Sequence, residues 1–188
     1  MTDEAFWQLI GRAVEQPGDR DERAEWVTEE LTRLPVAGVV EFARRLAVVC
    51  GAADTWTMWA AARVVADGCS AEGFRSFQLW LLTLGRVVFE RAVVDPDSLA
   101  EVAQVRALAA RPMREWSDQD WPEWESLDFA AHEAHQEVTG EEFGLERLGL
   151  AVAASRPGAD AWDIADEDEV AVRLPRLSAL FADRHATA

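Results

Sequence analysis

Apolar residues recur at three- and four-residue spacings along almost the whole chain, while runs alternating apolar with polar residues between turn signals are nearly absent. That spacing gives each helix an apolar stripe and leaves no strand with a buried face. The chain is therefore predicted to be all-α, a single-domain irregular bundle over residues 1–188 with about eight to ten helices. Of its 188 residues 49% are hydrophobic, enough to bury a core, which excludes wholesale disorder.

Capping and breaking residues divide the pattern. Phe6, Ile10 and Val14 stripe a helix over 3–15 that the Pro17-Gly18 turn stops. Asp19 with Glu22 three residues on makes a capping box for the next, and Pro35 opens a third that buries Val39, Phe42, Leu46 and Val49 and ends near Cys50-Gly51. Asp54 or Thr55 caps a helix through Ala66, Gly68 takes the left-handed turn after it, and Ser70 caps the following one. In that helix Phe74, Phe77, Trp80, Leu81 and Leu84 form one face and Leu79 and Leu82 another, so this Trp/Phe-rich helix, apolar all round, is predicted to be central. Residues 86–94 continue helically, and Asp97 or Ser98 caps a helix to about Ala110. Residues 113–125 form a loop or short turns, 126–139 a helix ended by Gly140, and 142–154 a further short helix. An acidic, linker-like segment over 155–169 precedes a closing helix carrying Val172, Leu177, Leu180 and Phe181.

Charge narrows the partners. With 35 acidic residues against 18 basic ones the net charge is −17, which repels nucleic acid and anionic membranes. No apolar run is long enough for a membrane span, and Met1-Thr2-Asp3-Glu4 is unlike a signal peptide. Cys50 and Cys69 are read as reduced thiols, which points to the cytoplasm. Every basic residue is Arg, and Lys, Asn and Tyr are absent, a sign of GC-rich coding.

Several blocks together carry a resemblance. They are Phe6-Trp7-Gln8-Leu9-Ile10, the pair Trp56 and Trp59, Gly68-Cys69-Ser70 with Gly73-Phe74, and Trp80-Leu81-Leu82 with Gly85-Arg86. To these add Asp95-Pro96-Asp97-Ser98-Leu99, Glu137-Val138-Thr139-Gly140-Glu141, and Trp162-Asp163 leading to Leu174-Pro175-Arg176-Leu177. On these blocks the chain resembles, over nearly its whole length, an actinobacterial family known only as a domain of unknown function. The resemblance implies a helical bacterial cytoplasmic protein and no particular activity. That family often has an acid where this chain has Ala71, an Arg at Gln78 and a Tyr at His135, so a polar site using those positions would be altered here.

Three constellations are candidates for function. Asp128, His132 and His135 lie at spacings of four and three on one helical face, as zinc or iron ligands would. Leu127, Ala131, Ala134 and Val138 run opposite His132, which favours a solvated polar face and no metal. The second is a ligand pocket of Trp56, Trp59, Arg63, Glu72, Arg75 and Arg86, where Trp59 and Arg63 can stack as cation and ring. Against it stands a buried aromatic cluster with Arg63 paired to Asp67. The third is Trp116, Trp121 and Trp124 in an acidic loop, suited to a basic protein partner if the rings are exposed and to covering the core if they are not.

Catalytic and cofactor motifs are incomplete. Cys69 precedes a helix start that can depress its pKa but has no His nearby in sequence, and a structural thiol is favoured. Gly68 to Gly73 lacks the Lys and Ser/Thr of a phosphate loop, and residues 163–169 lack the Gly and spacing of a calcium loop, so no cofactor is expected. The leading expectation is a non-catalytic module binding a protein with a basic surface, possible examples being regulation or immunity to a toxin. An enzyme or small-molecule binder around residues 56–90 is the alternative.

Overall fold

The caps form where polar side chains precede apolar runs. The computed structural model describes residues 1–152, 157–158 and 161–182. Helix α1 (Asp3–Val14) starts where Thr2 Oγ1 accepts from the Ala5 amide at 3.2 Å, with Asp3 and Glu4 against its positive end. Helix α2 (Arg20–Thr32) starts on the expected box: Asp19 accepts from the Glu22 amide at 2.9 Å, and Glu22 accepts from the Asp19 amide at 2.8 Å. Helix α3 (Val36–Ala52) follows Pro35 and runs through Gly51 instead of stopping there. Thr55 caps α4 (Trp56–Ala66) through the Met58 amide at 3.1 Å, and Ser70 caps α5 (Ala71–Thr83) through the Gly73 amide at 3.1 Å. Between them the chain spends two consecutive residues at positive φ, Asp67 at 53° and Gly68 at 116°, one more than expected.

Helix α5 is the central element. Phe74, Phe77, Leu79, Trp80, Leu81 and Leu82 are all buried, and it packs against α1, α3, α4 and α6 (Arg86–Val94). The expected continuation into residues 86–94 is broken by Gly85, whose φ of 86° suits Gly alone. Beyond α6 a 3-10 turn (Pro96–Glu101) and an extended Val102 precede a short α7 (Ala103–Ala109), in place of one helix reaching Ala110. The reason is that Asp97 does not cap its own segment. Its Oδ1 accepts from the Leu177 amide at 2.8 Å and its Oδ2 from the Arg176 amide at 3.1 Å, so it caps a helix near the other end of the described chain.

Helix α8 (Leu127–Thr139) ends at left-handed Gly140 and packs on α2 and α3. The helix expected over 142–154 shrinks to the single turn α9 (Gly144–Arg147), and residues 153–154 lie outside the described residues. The closing helix is two, α10 (Glu167–Arg173) and α11 (Pro175–Phe181), because Pro175 lacks the amide needed to continue α10. Leu174, Leu177 and Phe181 are buried, whereas Val172, placed on the apolar stripe by spacing, is 80% exposed. The expected linker lies partly outside the described residues, at 155–156 and 159–160. Among the described residues there are ten helices of seven or more residues and no strand, and one apolar core runs from Phe6 to Phe181. No helix among them is long and apolar enough to cross a membrane.

The α10–α11 pair is held on by a polar clasp. Arg176 gives Nε to Asp97 at 2.9 Å and NH1 to Glu101 at 2.6 Å, and its NH2 meets Asp95. Asp97 is 4% exposed, so removing its carboxylate strands two backbone amides and the Nε–H of Arg176. Asp97→Ala is expected to lose about 3 kcal/mol in urea unfolding, and Asp95→Ala, at an exposed position, about 1 kcal/mol at most.

Candidate functional site

Three helices, α4, α5 and α6, bring the expected ligand-pocket residues to different places. Trp56 and Trp59 stack at 5.5 Å and 15°, and Trp59 stacks in turn on Phe74 at 5.3 Å and 6°. Trp59 Nε1 donates to the Cys69 carbonyl at 3.0 Å and Trp56 Nε1 to the Gly158 carbonyl at 3.3 Å. Trp59 thus rests on Phe74, where spacing suggested Arg63. Glu72 stands exposed in the first turn of α5, where its own backbone amide and then the Ser70 hydroxyl hold its carboxyl below the usual range. Arg86 bridges Asp3, Glu4 and Glu90 where α6 meets α1. Arg75 turns the other way, into a bidentate pair with Asp128 at 2.9 and 2.5 Å. The six residues do not form one pocket.

The histidine face is also different from expectation. Asp128 is 6% and His135 5% exposed, so this is no solvated face: α5 covers Asp128 through Arg75, and α9 covers the histidines. His132 Nδ1 lies 3.1 Å from the Glu146 carboxylate and His135 Nδ1 lies 3.4 Å from Thr139 Oγ1. The three side chains have separate partners, and no metal-binding cluster occurs among the described residues. Cys50 is buried beside the Arg75–Asp128 pair, and burial, with the carboxylates of Asp128 and Asp54 adding to it, pushes its thiol up to about 12 against the pull of Arg75. Burial likewise raises Cys69 to about 11, with Arg63 opposing, so the helix start gives it no depressed pKa. Both thiols are free.

The tryptophan loop folds inward. Trp124 is 1% exposed, its indole donating to the Arg20 carbonyl at 2.9 Å and its amide to the Ser76 carbonyl at 3.1 Å. Trp116 is 9% exposed and meets half-buried Trp121 edge-on at 5.2 Å. Asp120 locks the loop by accepting from Arg111, from the Ser117 amide and from the Ser117 hydroxyl, and these hold its carboxyl well below the usual range. The expected partner surface on Trp116, Trp121 and Trp124 is therefore corrected: Trp116 and Trp124 are core, and at Trp124 the Arg20 carbonyl satisfies the buried indole.

What the structure does assemble is a cavity of about 430 Å³ between α4 and the α10–α11 pair. Ala60, Arg63 and Val64 form one wall, and Ile164, Val170 and Phe181 the other. Asp67, Glu167, Asp168 and Ser178 add polar groups to the lining. The Arg63 guanidinium forms no hydrogen bond or ion pair among the described residues; left-handed Asp67 leaves the helical row that a four-residue pairing needs. The Ser178 hydroxyl is buried without a partner among the described residues. Of the cavity's residues the sequence pointed to Arg63, Asp67 and Gly68. The opposite wall arrives through the Asp97 clasp, a contact across about eighty positions that no local spacing signals.

The two thiols provide a check on burial. At about pH 8 a maleimide is expected to leave Cys50 unmodified in the native protein, to label Cys69 slowly, and to label both in urea. Because the folded Cys50 thiol titrates above the unfolded value, its contribution is complete below about pH 9 and declines as pH rises toward 12. Between about pH 8 and 10.5, Cys50→Ala should show a smaller fall in Tm than the parent chain.

No curated protein and no solved structure matches the chain. A family described as "Protein of unknown function (DUF4240)" matches residues 1–137, which takes in α1 to α7, the tryptophan loop and most of α8. The α9 turn and the α10–α11 wall of the cavity lie beyond that match, and on the evidence of the matched 137 residues the chain belongs to the DUF4240 family.

Proposed function

We propose that this protein is a non-catalytic binder of a small zwitterion, held between α4 and the α10–α11 pair. The observation that carries the reading is that Arg63 and Ser178, two polar side chains without partners among the described residues, line one cavity. A buried hydroxyl left unpaired needs an explanation, and a ligand oxygen or nitrogen supplies one. The volume of about 430 Å³ falls in the range of roughly 300–1,000 Å³ typical of small-molecule sites.

Charge selects the ligand class. A guanidinium fork fits a carboxylate at two points, whereas Asp67, Glu167 and Asp168 repel a ligand that carries only negative charge. A molecule with an acid group for Arg63, an amine for those carboxylates and an apolar body against Val64, Ile164 and Phe181 satisfies the whole lining. The free thiols and the acidic surface support a reducing, cytoplasmic setting, and the Lys-free composition supports an actinobacterial source. The single apolar core supports treating the described residues as one domain.

Calorimetric titration with L-leucine, L-phenylalanine and glycine betaine tests the reading. At least one is expected to bind saturably, with Arg63→Ala weakening it about tenfold or more, equal to about 1.4 kcal/mol, and Ser178→Ala weakening it less. Absence of binding by all three, or an unchanged affinity in Arg63→Ala, would overturn it.

A further inference from the structure

Residues 140–148, beyond the family match, form a turn that is rigid and yet carries its largest apolar side chain outward. Phe143 is 61% exposed, and its backbone sits in the left-handed region at φ 58°, ψ 28°. A bulky residue there is strained, and an exposed ring gains nothing from burial. Neither cost is recovered among the described residues.

The surroundings show why the turn nevertheless holds this shape. Gly140 ends α8 at φ 72°, and the Glu141 amide donates to Thr139 Oγ1 at 3.1 Å. Arg147 reaches back, NH2 to the Glu142 carbonyl at 2.8 Å and NH1 to the Glu141 carboxylate at 3.4 Å. Gly144 lies so close under His135 that a Cβ would stand 2.3 Å from the ring, so only Gly fits. With Gly144 and Leu145 buried and His132 near Glu146, the turn is fastened from below. Phe143 is its protruding tip, with Leu148 at 53% and Val138 at 39% exposure in the same stretch.

The charges around this tip choose its occupant. Glu137, Glu141 and Glu142 are exposed, and the one base of the turn, Arg147, is already paired to Glu141. A second copy would bring the same carboxylates face to face, on chains of charge −17. A basic surface meets them favourably while an apolar pocket takes the ring. We infer that residues 137–148 are a docking surface for a basic protein, with Phe143 the anchor and Glu137, Glu141 and Glu142 its rim. A turn whose backbone is already held by hydrogen bonds loses little freedom on binding, which suits an anchor.

Photo-cross-linking with benzoylphenylalanine at position 143, in extract of the source organism, followed by reconstitution from two purified proteins, tests this. The cross-linked partner is expected to be basic, and the rebuilt complex to weaken as salt rises. Phe143→Ser should reduce its affinity at least tenfold, while Val87→Ser, on an exposed α6 position, leaves it unchanged. Phe143→Gly separates docking from folding: relief of the left-handed strain should hold or raise Tm while binding is lost. A lower Tm in Phe143→Gly with affinity retained would overturn the proposal. So would no cross-link above that from position 87, or one only to a second copy or an acidic protein.

Discussion

A helix with no polar face must be wrapped on every side, and α5 imposes that requirement on the rest of the molecule. Its aromatic and leucine side chains draw α1, α3, α4 and α6 around it. Apart from exposed Glu72 in its first turn, the polar groups Arg75, Ser76 and Gln78 are then under constraint, since each sits where water cannot reach it freely. Arg75 is answered by the Asp128 carboxylate of α8, and the Ser76 carbonyl by the Trp124 amide. Burial works against the Arg75 charge as the largest single influence, and the hydrogen bond and charge of Asp128 together with Cys50 outweigh it, leaving the guanidinium firmly charged. Polar contacts of this kind fix which helix lies where, while apolar burial supplies the drive to pack.

The acids of this chain are of two kinds. Some sit in first helical turns or on exposed faces, where they favour solubility and helix polarity. Others, among them Asp97, Asp120 and Asp128, are structural ligands for backbone amides or guanidinium groups. Net charge does not distinguish them: of the second kind, Asp97 and Asp128 join distant parts of the chain, whereas Asp120 closes a local loop.

Local signals in the sequence were accordingly readable and distant ones were not. The caps at Asp19, Thr55 and Ser70, the stop at Gly140 and the all-round burial of α5 follow from chemistry within a few residues. Asp97 had the right residue type for a cap, but its helix lies about eighty positions away. The histidine face misled because one turn of α9 and a single Arg of α5 cover it, neither of which periodicity reveals. For the tryptophans the outcome depended on carbonyl partners: the Arg20 carbonyl, supplied by α2, lets Trp124 be core. Of the cavity, Arg63 was legible as a cation beside an aromatic pair, but its opposing wall was not.

The clasp also bears on how relatives can be sorted. Asp97 lies inside the family-matched region and both amides it caps lie outside. A relative built only on the matched part would have a carboxylate at this place with no helix end to receive, and an uncovered α4 face beside it. Acid at this position and the Leu-Pro-Arg-Leu stretch should therefore be inherited or lost together, so that two short strings of letters distinguish family members with a roofed α4 from those without one.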